Sequence, residues 1–177
     1  MERNRYIHYG LVLTGIAFLS ALILAFGNDF TSATIAANAK RVVEQARIKV
    51  LPVAKSFSEE ESKEASGMKF VPGKDEAGNL VGYVVSGSEN GYAGPIDFVL
   101  GIDKDGKIAG LDIVSSQETP GLGSKIMNQS WKDLWVGRDS QYQFNKSTDA
   151  FAGATISPQS TYNGIMKVLA AYEKEVK

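Results

Sequence analysis

Thr155 closes the stretch Asp149-Ala150-Phe151-Ala152-Gly153-Ala154-Thr155, and Ile156-Ser157-Pro158 follow it. Ser is a favoured N-cap and Pro suits the first helical position, so Ser157-Pro158 predicts a helix start. Tyr162, Ile165, Met166, Leu169, Tyr172 and Val176 then recur at helical spacing, with Asn163, Lys167 and Lys174 on the other side. The Thr155 hydroxyl is thereby delivered just ahead of a helix N-terminus. Free backbone N–H groups and the positive end of the helix dipole favour a phosphate there. Gly153 has no side chain and Ala154 almost none, so a bulky group can approach the backbone closely. On spacing alone the stretch also reads as an ordinary Gly-containing loop before a C-terminal helix, and that reading holds the larger share.

The elements that must position this loop are mostly strands. Met68–Val71, Leu80–Ser86, Pro95–Ile102 and Lys107–Ser115 have strand composition. Lys74 to Asn79 is a turn between the first two. Asp103-Lys104-Asp105-Gly106 is a hairpin turn; as a calcium loop it would need Glu at its twelfth position, and Val114 stands there. Ser124–Gly137 places Trp131 and Trp135 four apart on one helix face, a pair that is more often core than a stacking platform. Gln141-Tyr142-Gln143-Phe144 alternates like a short strand leading into the acceptor loop. Ser56–Gly67 is rich in Ser, Glu and Lys and reads as a surface connection without a site.

Asp149-x-x-Ala152-Gly153-Ala154-Thr155 resembles the flavinylation motif Asp-x-x-Ser-Gly-Ala-Thr of the FMN-binding domain family, with Ala152 where Ser is usual. Two further stretches resemble the same family in the same order. Gly91-Tyr92-Ala93-Gly94-Pro95-Ile96 is similar to its entry into a core strand, and Gln117-Glu118-Thr119-Pro120-Gly121-Leu122-Gly123 to the loop that lies against the flavin. The resemblance covers roughly Leu80 to the C-terminus. It implies FMN on Thr155 through a phosphoester, installed by an FMN transferase that reads Asp149, Gly153 and Ala154. In the second loop Pro120-Gly121 forces a turn, and Gly123 lets backbone N–H groups face a ligand. Glu118 and Thr119 can hydrogen-bond the polar edge of an isoalloxazine, while Leu122 covers its face. The implied fold is α+β: an N-terminal transmembrane helix, then one FMN-binding domain with an antiparallel sheet flanked by helices.

The chain has 177 residues, 44% apolar and 22% charged, with a net charge of −1. That accommodates one domain plus one extra element, and nothing in it suggests a nucleic-acid partner. There is no cysteine, which excludes disulfides, thiolate zinc sites and cysteine-bound clusters. The single histidine, His8, borders the apolar segment, so no histidine-based triad is available near Thr155. Tyr6–Asn28 lacks Asp, Glu, Lys and Arg; as a helix at ~1.5 Å per residue it spans roughly 34 Å, enough for a ~30 Å hydrocarbon core. Arg3 and Arg5 precede it, which places the N-terminus in the cytoplasm and the domain outside. A cleaved signal peptide is the competing reading. Asp29–Leu51 reads as a second helix, with Ile35, Ala39, Val42, Val43, Ala46 and Val50 on one stripe and Leu51-Pro52 ending it. The expected organisation is therefore an anchor over residues 1–28, a helical linker over 29–67 and the domain over 68–177.

The resemblance further implies an electron-transfer component of a membrane complex. It leans to the G subunit of Rnf complexes, which pass electrons between ferredoxin and NAD and couple this to sodium or proton movement. The C subunit of the sodium-translocating NADH:quinone reductase and a free-standing extracytoplasmic flavoprotein carrier remain alternatives. Other membrane subunits and lipid are the implied partners. No metal site and no catalytic residue are expected, since the flavin carries the chemistry.

Overall fold

No proline interrupts the chain before Pro52, and the first helix, α1, runs unbroken over Glu2–Val50. The computed structural model describes residues 2–177; Met1 and the side chains of Glu2, Arg3, Asp29 and Ala33 lie outside the described residues, and with them the flanking charges of Arg3 and Asp29. The expected break after Asn28 is absent. Thr31 donates its hydroxyl to the Gly27 carbonyl at 2.8 Å, four residues back along the same helix. Residues up to Arg41 form one unit, with exposed Leu11, Leu13, Phe18, Leu24 and Phe26 along it. An 18-residue window of α1 has mean hydropathy 2.2, and the helix is long and apolar enough to cross a membrane.

The second unit runs from Val42 to Lys177. Its strands are β1 (Ser56–Phe57), β2 (Lys63–Ala65), β3 (Met68–Lys74), β4 (Leu80–Asn90), β5 (Pro95–Asp103) and β6 (Ile108–Ser116). They form an antiparallel sheet in the order β1-β3-β4-β5-β6, with β2 also on β3. The expected surface connection over Ser56–Gly67 is therefore corrected: it supplies two short strands. Phe57 and Ala65 give each a foothold in the apolar core. The Asp103 turn is as expected, its carboxylate accepting the Asp105 and Lys107 N–H groups at 2.9 Å each.

Strand alternation splits the sheet into two faces. Phe98, Leu100 and Ile102 point to one face, where they meet Ile165, Val168 and Leu169 of the last helix, α4 (Ile156–Ala171). Val84 and Val99 point to the other, against Ala46, Val50 and Leu51. Gly101 and Gly110 are paired across β5 and β6, and the end of α1 lies directly on them. A Cβ at Gly101 would overlap the Val50 carbonyl, and one at Gly110 would come within 2.7 Å of Val50 Cα. A wider π-type turn over Tyr172–Val176 continues α4, closed by the Lys177 N–H on the Tyr172 carbonyl at 2.9 Å.

Gly123–Trp135 is not one regular helix. It is a 3-10 turn over Gly123–Met127, a short helix α2 (Gln129–Lys132) and a second 3-10 turn over Asp133–Trp135. Trp131 and Trp135 are buried core residues with ring centroids 5.5 Å apart, edge to face. Gln141–Phe144 is not a strand, since its backbone meets no sheet edge. Tyr142 N–H bonds the Asp139 carbonyl, and Tyr142 and Phe144 pack on the core from an irregular segment that enters α3 (Lys146–Asp149).

Candidate functional site

Three loops meet at the N-terminus of α4 and enclose a cavity of about 260 Å³. Tyr92 comes from the β4–β5 turn, Glu118, Thr119, Leu122 and Gly123 from the segment after β6, and Gly153 to Ser157 from the approach to α4. Of the residues expected to bind a cofactor, only Gly121 is not in the wall. Its φ of 77° makes the turn that sends Leu122 and Gly123 inward, and its N–H donates to Ser124 Oγ at 3.0 Å.

Thr155 is itself the N-cap of α4, so the helix starts at Ile156, earlier than Ser157-Pro158 suggested. Its hydroxyl makes no capping bond, and among the described residues no other acceptor engages it. A half-buried hydroxyl facing a cavity from a helix N-terminus is available as a phosphate ester acceptor. The N–H groups of Ile156 and Ser157 precede the intrahelical ladder and point the same way as the dipole's positive end. Ser157 caps nothing. It is buried, and its hydroxyl donates to Glu118 Oε2 at 2.6 Å.

Glu118 is also buried, and its other oxygen, Oε1, accepts the Tyr92 and Ala93 N–H groups at 2.7 and 3.1 Å. Its carboxylate therefore turns into the protein from the cavity wall. Gly123 serves this carboxylate: a Cβ there would overlap Glu118 Oε2 and Ser157 Oγ. Gly153 also differs from the close-approach reading. A Cβ on it would meet nothing within 4 Å, and its φ is 77°, so it is the left-handed turn that calls for glycine. That turn is closed by the Ala154 N–H on the Phe151 carbonyl at 3.0 Å, and it leaves Ala152 exposed at its apex.

Asp149 lies beneath the loop rather than in the cavity. It is fully buried, and all its partners are donors: Tyr142 hydroxyl at 2.6 Å, Asn145 N–H at 2.8 Å, Arg138 Nη2 at 3.1 Å and Thr148 hydroxyl at 3.2 Å. Burial alone pushes this carboxyl upward, but the bonds from Tyr142, Asn145 and Arg138 together outweigh it and hold the group below the ordinary carboxylate range. The Tyr142 hydroxyl is pushed up by burial and by its bond to Asp149. Trp131 Nε1 donates to the Asp149 carbonyl at 2.7 Å, and Arg138 stacks over the Tyr142 and Trp135 rings at 3.8 and 4.8 Å.

Sequence reasoning missed Tyr92, Ile156 and Ser157 as wall residues, and Arg138 altogether. Tyr92 was legible as an aromatic held in a Gly-flanked turn; Arg138 stands in no motif and carries no local signal. The walls that result combine apolar Leu122, Ile156 and the Tyr92 ring with free N–H groups and the unengaged Thr155 hydroxyl. This donor set suits an aromatic ring joined to a phosphate, which is the make-up of FMN. Among the described residues no group of His, Asp and Glu side chains is arranged to hold a metal.

The FMN-binding domain family matches residues 91–170. The chain is 29% identical over 187 residues to the G subunit of the Na(+)-translocating ferredoxin:NAD(+) oxidoreductase complex of Acetobacterium woodii, covering 93% of this chain and 90% of that protein. It is 30% identical to the G subunit of the ion-translocating oxidoreductase complex of Stutzerimonas stutzeri, over 94% of this chain and 81% of the relative. The corresponding protein of Methanosarcina acetivorans is 30% identical, over 85% of each. The crystal structure of Shewanella oneidensis NqrC aligns with a TM-score of 0.52 at 18% identity over 70% of each chain, a likeness of fold. Three loops that close on one cavity, in a chain with relatives of this identity and coverage, lead to one assignment: it belongs to the family of G subunits of ion-translocating oxidoreductase complexes, and its domain is an FMN-binding domain.

Proposed function

We propose that this protein is an electron-transfer component carrying FMN covalently on Thr155, within an Rnf-type complex that exchanges electrons between ferredoxin and NAD and moves sodium or protons. The observation that carries the reading is the Thr155 hydroxyl: unengaged, half-buried, at the N-terminus of α4 and inside the cavity. The Ile156 and Ser157 N–H groups would hold the phosphate, and Leu122, Ile156 and Tyr92 would flank the ring. FMN in this position supplies one- and two-electron transfer. A volume of about 260 Å³ falls below the ~300–1,000 Å³ of pockets that enclose a ligand, so a ring held here keeps one side open to a partner. The site has no nicotinamide fingerprint and the chain no cysteine for a cluster, so donor and acceptor come from neighbouring subunits.

The apolar first part of α1 anchors the protein in a lipid bilayer by a single pass. The N-terminus is cytoplasmic and the FMN domain extracytoplasmic, where a covalent bond prevents loss of the cofactor. Gly153 is exposed and Ala154 partly so, and both are open to an FMN transferase; buried Asp149 contributes to recognition by shaping the loop. The test is flavin fluorescence of the denatured full-length chain on a gel, wild type beside Thr155→Val, with the transferase co-expressed. A fluorescent wild-type band and a dark variant band of equal amount are expected. Equal fluorescence in both would move the linkage elsewhere, and two dark bands beside a labelled control protein would end the covalent reading.

A further inference from the structure

Glu118 is the residue at which all three loops are joined. Its Oε1 takes the two N–H groups of the β4–β5 turn, and its Oε2 takes the hydroxyl of Ser157 in the first turn of α4. Two glycines make way for it: a Cβ at Gly91 would overlap Oε1, and one at Gly123 would overlap Oε2. Ser157 is fixed a second time through its carbonyl, which accepts the Thr161 hydroxyl at 3.0 Å. The helix geometry leaves little freedom between Ser157 and Thr155, two residues upstream.

We infer that Glu118 is a positioning residue for the modification of Thr155: through Ser157 it clasps the start of α4 to the β4–β5 turn and so fixes where the acceptor hydroxyl stands. The inference rests on the reading of Thr155 as the FMN acceptor. The transfer forms a phosphorus–oxygen bond to Thr155 Oγ and breaks the pyrophosphate bond of a flavin dinucleotide donor. A nucleoside monophosphate leaves, the hydroxyl proton passes to the transferase, and no electrons change hands. Positioning is a strong lever on such a step, because a displacement of ~1 Å costs on the order of 10²-fold in rate. A carboxylate that instead bonded the flavin edge would act on the bound ring, and its charge would matter.

Glutamine separates the two roles. In Glu118→Gln the amide oxygen keeps both N–H bonds, while the amide nitrogen donates to Ser157 Oγ, which turns from donor to acceptor. The clasp survives and the charge does not. Glu118→Ala strands the buried Ser157 hydroxyl and releases the Tyr92 and Ala93 N–H groups, on an exposed turn, to water, whereas Ser157→Ala cuts only the link to α4.

The experiment uses the full chain in detergent with purified FMN transferase and flavin adenine dinucleotide as the probe. Covalent labelling gives kcat and KM for the chain, and hydrogen exchange follows the Tyr92 and Ala93 amides. Glu118→Gln should label within about threefold of wild type, with both amides still protected. Glu118→Ala and Ser157→Ala should lose on the order of tenfold to 10²-fold in kcat at unchanged KM, as expected for misplacement. Both amides should exchange freely in Glu118→Ala and stay protected in Ser157→Ala. Wild-type kcat in Glu118→Ala, a Glu118→Gln as slow as Glu118→Ala, or a loss confined to KM would each overturn the clasp. If wild type itself takes no label while a control chain does, the Thr155 reading fails, and the exchange of the two amides still decides whether Glu118 joins the loops.

Discussion

Asp149→Asn tests whether the acceptor loop rests on a buried charge. The native carboxylate meets four donors, Tyr142 and Asn145 on Oδ2 and Arg138 and Thr148 on Oδ1. An asparagine oxygen can keep one pair, which leaves its NH2 against the other. Kept toward Tyr142 and Asn145, it turns the NH2 onto Thr148, which can accept, and onto Arg138, which cannot. Breaking a buried ion pair by removing one partner costs about 3–5 kcal/mol. Arg138 keeps 17% of its side chain exposed and its two ring contacts, so the lower end applies, about 3 kcal/mol. Against a total stability of ~5–15 kcal/mol this is large, and at several degrees per kcal/mol it lowers Tm by roughly 10 °C. The assay is urea and thermal unfolding of the full chain in detergent, followed by near-ultraviolet circular dichroism. The pH dependence has a definite sign. A carboxyl held below its ordinary pKa contributes fully above the unfolded value of ~3.9 and loses that contribution as pH falls toward the lower folded value. The gap between wild type and variant should therefore be level from about pH 5 to 7 and close below about pH 4. A gap under ~1 kcal/mol at neutral pH, or one that stays level into strong acid, would refute the ion-pair account.

Two glycines give contrasting expectations. Gly153→Ala adds a methyl that meets nothing within 4 Å but places an L-residue at φ 77°, so it should cost ~1–2 kcal/mol in unfolding free energy and slow labelling of Thr155 in the same preparation. Gly110→Ala drives a methyl against Val50 Cα; it should cost ~1–3 kcal/mol or more by overpacking and speed tryptic cleavage after Arg47 and Lys49, with resistance equal to wild type counting against the seat described for α1.

Much of this architecture was legible in the chain because its signals are local. The four long strands, the Asp103 turn and the Ile165, Leu169 stripe of α4 follow from composition, period and turn chemistry. The three loops were recognisable by their residues, and the structure brings them to one cavity. What escaped depends on partners distant in sequence. Glu118 looked free to face a ligand because its three donors lie far along the chain. Ser157 looked like a cap because its type and the following proline suit one, yet a buried carboxylate 2.6 Å away takes its hydroxyl. Gln141–Phe144 alternates like a strand, but its aromatics are held by Asp149, Trp135 and Tyr162, and no neighbouring edge completes a ladder. The Ser- and Glu-rich segment after α1 gained two strands because β3 had an open edge to cover.

The two tryptophans have a consequence for how the protein can be watched. They are the only ones in the sequence, both are buried, and Trp131 holds the Asp149 carbonyl through its indole N–H. Their ultraviolet emission therefore originates from the foundation of the acceptor loop and from nowhere else in the chain. Loss of the indole bond would shift that emission, and a flavin attached a few residues away would absorb it. The molecule thus carries a built-in optical gauge of loop order that needs no added label, and the flavin proposed on Thr155 would be read by energy transfer from the same two rings.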